Sequence, residues 1–416
     1  MDNDFSNLLR KDVPPAQLEL IHRIAVQAST LGYPAYIVGG FVRDLLLSHP
    51  GLDFDLVIEG DAISLAGTLA SQYGGKTTLH EKFRTAKWFL EGQSSVDLIS
   101  ARSETYKHPG ALPTVKSGSL RDDLLRRDFT LNTLAIRLDG NHFGELHDEL
   151  GGLDDLRHGV IRVLHPHSFL DDPTRMYRAV RYEKRYDFKI VKETLALVPE
   201  ARGLIRSLSA QRIRHELDLI LDESQAAGMI AGLGKLDLLS PIHPALRFDR
   251  PTQVRIETAA HEATEVLSNL NLRELRWILW LMTLPAKEIA SVNKRLHFTA
   301  SLLKSLMASS KLLSDLPTLA RLKPSQCVEK LGKVPLAAIG SVLIAAPPGV
   351  PKQMLENYLS SWRHIKPKTT GHDLRKLGLE PGPQYQSILR KLRGAWLDGM
   401  VKNASEEREM LIKIMG

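Results

Sequence analysis

Asp53 and Asp55, in Leu52-Asp-Phe-Asp-Leu56, are spaced as a metal-binding pair would be. On a strand, residues i and i+2 share a face, so the two carboxylates would stand a few ångströms apart. Such a pair repels itself unless a cation sits between, and hard oxygen donors at that spacing suit Mg²⁺. Phosphoryl transfer to a hydroxyl uses a site of this kind, where metal ions stabilise the attacking and leaving oxygens together. Asp97, flanked by apolar Val96 and Leu98, is the candidate third carboxylate on a neighbouring strand. Surface aspartate pairs are common, so the spacing alone does not establish a site.

The segment before the pair strengthens the reading. Tyr36-Ile-Val-Gly-Gly-Phe-Val-Arg-Asp44 runs as strand, two glycines, then helix. That order aims backbone N–H groups and a helix N-terminus at a phosphate, with no Cβ in the way. Gly39, Gly40, Arg43 and the adjoining Asp44 are therefore candidate nucleotide-binding residues; the alternative is an ordinary strand-to-helix turn with a solvated arginine. Gly74-Gly75-Lys76-Thr77 looks like part of a phosphate-binding P-loop, but the first glycine of that motif is replaced by Ala70, and the reading is rejected.

A second charged constellation is Asp171-Asp172-Pro173-Thr174-Arg175. It predicts a helix start with Asp172 at the N-cap and Pro173 at the first helical position. Arg175, Arg178 and Arg181 then recur every three residues and fall on one face about 120° wide. Three cations there need an anion or a solvent-facing location.

The elements that would position these groups follow from hydrophobic spacing. Helices are expected over 17–31, 41–48 and 62–73, and strands over 35–38, 54–58, 86–90, 95–100 and 134–138, with a loop marked by Pro109 and Pro113. From Asp171 onward the pattern is almost entirely helical, broken near Pro241–Pro251, Pro347–Pro351 and Pro381–Pro383. The fold class is α+β: a mixed-sheet head followed by a long helical part. At 416 residues the chain is too long for one ordinary core. Four segments are expected: a catalytic head over 1–165, a helical neck over 166–225, a helical body over 226–345 and a helical tail over 346–416.

Composition is that of a soluble globular protein, without an eighteen-residue apolar run or a secretory signal at the start. The one cysteine, Cys327, excludes an internal disulfide framework and a zinc cluster; it fits a reducing, cytoplasmic setting and a structural role. Net charge is +7, and nine Lys/Arg against three acids between Ser361 and Lys402 nearly account for it. That excess fits a polyanionic partner or merely a solvated helical face.

GGFVRDLLL, DFD, RRDFTLNTLA, DDPTRMYRAVRY and QRIRHEL occur here in one order and register. Together they resemble the bacterial/eukaryotic-type (class II) tRNA nucleotidyltransferase and poly(A) polymerase family over about residues 35–220, and the tail is similar too. The resemblance implies a polymerase-β-like nucleotidyltransferase head, Mg²⁺ held by Asp53 and Asp55, CTP and ATP as substrates, and the tRNA 3′ end as partner. It implies contact of Gly40 and Arg43 with the incoming nucleotide and of Arg127 with its triphosphate, with Asp128 and Asn132 near the ribose; Asp128 could instead cap the following segment.

In that family the helix of the Asp/Arg motif carries a protein template for the base. A carboxylate accepts from an exocyclic amine while a guanidinium donates to the adjacent ring nitrogen. Cytosine and adenine both present that edge, so an Asp172–Arg175 pair would select C and A, with Arg178 and Arg181 reaching base or phosphates. Departures from the family pattern include Asp171 for the frequent Glu, Ser48 for the usual Gly, Arg84 for a small residue, Thr133 and Leu134 for Ala and Met, and Gln211 for Glu. None removes a charged catalytic group. In the tail, the Gly371–Pro383 turn, with Arg375, Lys376 and Lys391, is expected to touch the body of the tRNA, or else simply to join two helices.

The expected reaction is template-independent CCA synthesis or repair, releasing pyrophosphate. CC-only or A-only addition, and bacterial poly(A) polymerase, are the alternatives; a non-catalytic RNA-binding relative should have lost one of these charged groups. The full stretch from Asp97 to Arg126 argues against CC-only addition. No oligomeric state beyond monomer or homodimer follows from the sequence.

Overall fold

The structure, a computed structural model of the chain, describes residues 4–48, 55–90, 95–105, 114–261 and 270–415. Asp53 and the loop expected around Pro109 and Pro113 lie outside them. The chain divides into two compact units, Met1–Ser209 and Ala210–Gly416.

The first unit opens with helices α1 (Ser6–Asp12) and α2 (Pro15–Thr30) and strand β1 (Ala35–Val38). There follow α3 (Gly40–Leu46), β2 (Asp55–Ile58), α4 (Ala62–Tyr73), β3 (Lys76–His80), β4 (Thr85–Phe89) and β5 (Val96–Ser100). A hairpin of β6 (Arg102–Thr105) and β7 (Thr114–Ser117) leads to α5 (Leu120–Leu125), then β8 (Ala135–Arg137) and β9 (Leu146–His147). Helices α6 (Gly152–Arg157), α7 (Ser168–Asp171) and α8 (Arg175–Arg185) come next.

Seven strands form one mixed sheet in the order β3-β4-β5-β2-β1-β8-β9. Among the described residues its one parallel pair is β2 with β5; α4 and the β3–β4 hairpin make the crossover such a pair requires. The crossover is well punctuated. The Asp61 side chain caps α4 by accepting from the backbone of Ile63 and Ser64, and Gly74, at φ +76°, ends it. All four residues of β1 are buried, as a central strand covered on both faces demands.

The expected helices and strands of the head are present within a few residues. The sequence reading missed β3, the β6–β7 hairpin and β9. It also overstated the helical run: Lys189–Ile190 pairs in parallel with Val160–Ile161 as a two-residue ladder. Ser48 and Arg84 have φ of +60° and +54°, which explains why small residues, glycine above all, suit those two places.

The second unit is helical throughout its described residues. Arg375 and Lys376 end the helix Gly371–Lys376, whose Thr370 and Asp373 form a capping box, and Lys391 lies on Pro383–Leu397. Leu374, Ile388, Leu392 and Leu411 pack these helices together, leaving Arg375, Lys376 and Lys391 exposed. Cys327 is buried, and burial pushes its thiol up to about 11, away from reactivity. Among the described residues no helix is long and apolar enough to cross a membrane.

Candidate active site

The site is built on one face of the sheet. Tyr36, Val38, Val57 and Ala135 pack on that face against Leu120 and Leu124 of α5. Asp55 lies two residues before Val57, so it points to the same side, at the strand end where burial gives way to exposure. Asp97 on β5 is the direct partner of Asp55, and Lys87 on β4 is the direct partner of Asp97. The three side chains form a row across the sheet, with Lys87 Nζ 3.1 Å from Asp97 Oδ2. Crowding by protein raises the Asp55 carboxyl above its ordinary range; Asp97 and Asp123 reinforce this, against Arg127 and Arg126.

The glycine turn is shaped by close approach. Gly39 has φ +72°, and a Cβ there would stand 2.5 Å from Arg127 Nη1. The positive φ requires glycine, and the missing Cβ leaves Arg127 its place against the start of α3. Arg43, one turn into α3, is buried. Its Nε and Nη2 donate to Asp44 at 2.8 and 2.9 Å, and its Nη1 donates to Asn132 Oδ1 at 2.6 Å. Burial works against its charge, but Asp44, with Tyr182 and Tyr186, more than offsets that and holds it cationic.

A cavity of about 440 Å³ opens beside this turn. It gathers Gly40, Arg43, Asp55, Arg127, Asp128, Asn132, Asp172, Arg175 and Arg178, all candidates on sequence grounds. Six of its lining residues are arginines (Arg43, Arg102, Arg126, Arg127, Arg175, Arg178) against four acids (Asp55, Glu104, Asp128, Asp172), a balance suited to a polyanion. A larger cavity of about 740 Å³ lies along α2, lined by Leu18, Val26 and Phe143 among others. It includes no residue of these motifs and only one acid, so the smaller cavity is the candidate site.

The residues from 35 to 162 match the model of the poly(A) polymerase head domain, and 187–249 match a probable RNA- and SrmB-binding site of polymerase A. An A-adding tRNA nucleotidyltransferase of Halalkalibacterium halodurans is 31% identical over 410 residues, covering 97% of this chain and 94% of that protein. The chain belongs to the class II tRNA nucleotidyltransferase/poly(A) polymerase family. A CC-adding tRNA nucleotidyltransferase of Deinococcus radiodurans is 32% identical over 91% of the chain and 89% of its own length. The Thermotoga maritima CCA-adding enzyme, solved complexed with tRNA, superposes with a TM-score of 0.81 at 29% identity, over 99% of both chains.

For a nucleotidyltransferase of this family, two groups of the row, Asp55 and Asp97, fit part of a divalent-cation site, with Asp97 at present paired to Lys87. Asp55 and Asp97 are hard oxygen donors on one face, and the raised Asp55 carboxyl is what a cation would relieve. When bound, a divalent cation would stabilise charge on the reacting oxygens.

The structure corrects the expected start of the helix in the Asp/Arg motif. Regular helix starts not at Pro173 but at Arg175, after Thr174. The residue before a proline avoids helical backbone, and Asp172 is extended (φ −139°, ψ 98°). Its Oδ1 nonetheless accepts from the Thr174 backbone at 2.9 Å and hydroxyl at 2.7 Å, a cap-like turn that fixes the carboxylate at the cavity. Arg175 is buried and donates to Ser168 Oγ at 2.7 Å and to the Arg126 carbonyl at 2.6 Å.

The three arginines of α8 do not share one fate. Arg175 and Arg178 reach the cavity; Arg181 is buried outside its lining, 5.5 Å from the Tyr182 ring. Asp128 does not cap a helix. It pairs with Arg178 at 2.6 Å and accepts from Asn132, and against the cost of burial these partners hold its carboxyl low. Gly39 stands behind the wall, Asp44 behind Arg43, and Asp97 beside Asp55. Asp171 is placed apart, with His165 Nε2 at 3.8 Å from its carboxylate.

The sequence reading missed Ile99, Arg102, Glu104, Arg126 and Tyr182 in the wall. For Arg126 a signal existed, the doubled arginine of RRDFTLNTLA. The polar hairpin that brings Arg102 and Glu104 carried none.

Proposed function

We propose that the chain transfers a nucleotidyl group to the 3′ end of tRNA and that its main reaction is addition of the terminal adenosine from ATP. One observation carries the reading. A single cavity gathers a carboxylate (Asp55), three cationic side chains (Arg43, Arg126, Arg127) and an Asp–Arg pair (Asp172, Arg175), the groups that such a transfer would use. The tRNA 3′ hydroxyl attacks the α-phosphorus, the bond to pyrophosphate breaks, and the hydroxyl proton passes to the Asp55–Asp97 row. Arg127 and Arg126 neutralise the departing pyrophosphate. Asp172 and Arg175 accept and donate to the amine-beside-nitrogen edge that adenine and cytosine share. Asp128 and Asn132 face the ribose, and Arg375, Lys376 and Lys391 contact the tRNA body. Restriction to adenosine is supported by the A-adding relative matched over 97% of the chain. Cytidine addition is the second reading, supported by the CC-adding relative and by a base pair that accommodates both.

The test offers tRNAs ending before the first C, after one C and after both C residues, with labelled CTP or ATP. The expected result is one adenosine on the CC-ended substrate and nothing on the others. Cytidine on the shorter substrates would widen the reading to CCA or CC addition. Homopolymeric A on unrelated RNA would replace it with poly(A) synthesis. In the same assay Asp172→Asn keeps an oxygen for Thr174 but loses the carboxylate. Preference for ATP over GTP is expected to fall by about 10- to 100-fold, the worth of a bidentate base contact. Unchanged preference would remove Asp172 from base selection.

A further inference from the structure

Tyr186 follows α8 as its C-cap and is absent from the described residues lining the cavity, yet it closes a hydrogen-bonded circuit through the nucleotide site. From α8, Arg178 Nε donates to Asp128 Oδ2 at 2.6 Å. Asp128 Oδ1 accepts from Asn132 Nδ2 at 2.8 Å, and Asn132 Oδ1 accepts from Arg43 Nη1 at 2.6 Å. Arg43 is clasped by Asp44, and Asp44 Oδ1 accepts from the Tyr186 hydroxyl at 2.9 Å, back at the end of α8. The rings complete the clamp: the Arg43 guanidinium lies 4.7 Å from the Tyr186 ring and 5.0 Å from that of Tyr182.

A planar cation with its N–H edges bonded to Asp44 and Asn132, and aromatic rings against it, has little freedom left. The last link, Asp44, is itself held by the Tyr186 hydroxyl. We propose that Tyr186 is a positioning residue for nucleotide binding, fixing Arg43 through Asp44 and its own ring and so fastening the base-reading helix to the Gly39–Gly40 turn. Movement of α8 would then be felt at Arg43 as well as at Arg175, and the seats for base and phosphates would tighten together. The inference rests on the nucleotide-binding reading of the cavity.

The test measures calorimetric affinity for ATP and CTP, steady-state transfer and thermal unfolding in wild type, Tyr186→Phe and Tyr186→Leu. The Phe variant keeps the ring and loses one hydrogen bond to a charged group, so affinity is expected to fall about tenfold, mainly as a higher KM for ATP, with Tm lower by a few degrees at most and the protein fully folded at the assay temperature. The Leu variant also loses the ring and is expected to fall about threefold further. Because the hydroxyl acts through Asp44, Tyr186→Phe added to Asp44→Asn should cost nothing beyond Asp44→Asn alone. Unchanged affinity in the Phe variant overturns the proposal. So does a loss that tracks unfolding at the assay temperature, or additive costs in the double variant. If wild type binds neither nucleotide, the reading of the cavity itself fails.

Discussion

Asp55→Asn is expected to lower nucleotidyl transfer by about 10³-fold, the worth of several kcal/mol of charge stabilisation at the reacting phosphate. The same change should leave the fold intact or make it more heat-stable. The folded state raises the Asp55 carboxyl above its ordinary 3.8. At low pH both states are protonated. The unfolded chain ionises first as pH rises through 3.8, and stability falls until the folded carboxyl ionises as well. At neutral pH the charge therefore costs stability, and a neutral isostere removes that cost. Mg²⁺ should raise the melting temperature of wild type more than that of the variant. The pairing of the two results is the check. A variant that is inactive because it is unfolded, or one that retains more than a tenth of wild-type transfer, would take Asp55 out of the chemistry.

What the sequence makes legible here is what repeats or punctuates. The run Ala35–Val38 and the capped helix Ala62–Tyr73 are visible because apolar spacing and an Asp/Gly pair of ends specify them locally. Lys76–His80 is not, because it is a sheet-edge strand whose residues are mostly exposed, without apolar alternation. Arg102–Thr105 and Thr114–Ser117 hide for the same reason: polar strands paired with each other. At the site, Asp55, Arg43 and Arg127 stand in motifs, whereas Glu104 is tied to it through Arg102 on its own strand and Arg126, which folding brings to it. The recurrence of Arg175, Arg178 and Arg181 suggested one cationic face, but a spacing of three drifts around the helix. Arg178 finds Asp128, and Arg181 turns into the protein. The Asp123 carboxylate was hidden differently. It reads as an ordinary acid in the first turn of α5, and nothing local shows that two arginines will close over it.

That concealed carboxylate gives the largest expected effect on stability. The Asp123 side chain is fully buried; Oδ1 accepts from Arg126 Nε at 3.0 Å and Nη2 at 2.6 Å, and Oδ2 accepts from Arg127 Nη2 at 2.9 Å. Burial opposes its ionisation, but Arg127 and Arg126 prevail and hold the carboxyl below its ordinary range. Asp123→Asn would leave two largely buried guanidiniums without this counter-charge and turn an amide N–H toward one of them. Breaking a buried pair from one side costs about 3–5 kcal/mol, on the order of 10 °C in the melting temperature of a unit this size. The deficit should close in acid. A carboxyl with a lowered folded pKa stabilises above the ordinary 3.8 and loses that contribution as pH falls from there through its folded value, so the gap begins to close below 3.8 and is gone only below the folded value. Arg126 and Arg127 both line the cavity proposed to bind the nucleotide, so ATP affinity should fall with stability, and higher ATP should not restore the melting temperature to the wild-type value. Calorimetric unfolding at neutral pH and in acid, with ATP titrated, reads all three effects. A melting temperature within two or three degrees of wild type at neutral pH would show that Glu104, 3.4 Å from Arg126, suffices to hold the cationic wall.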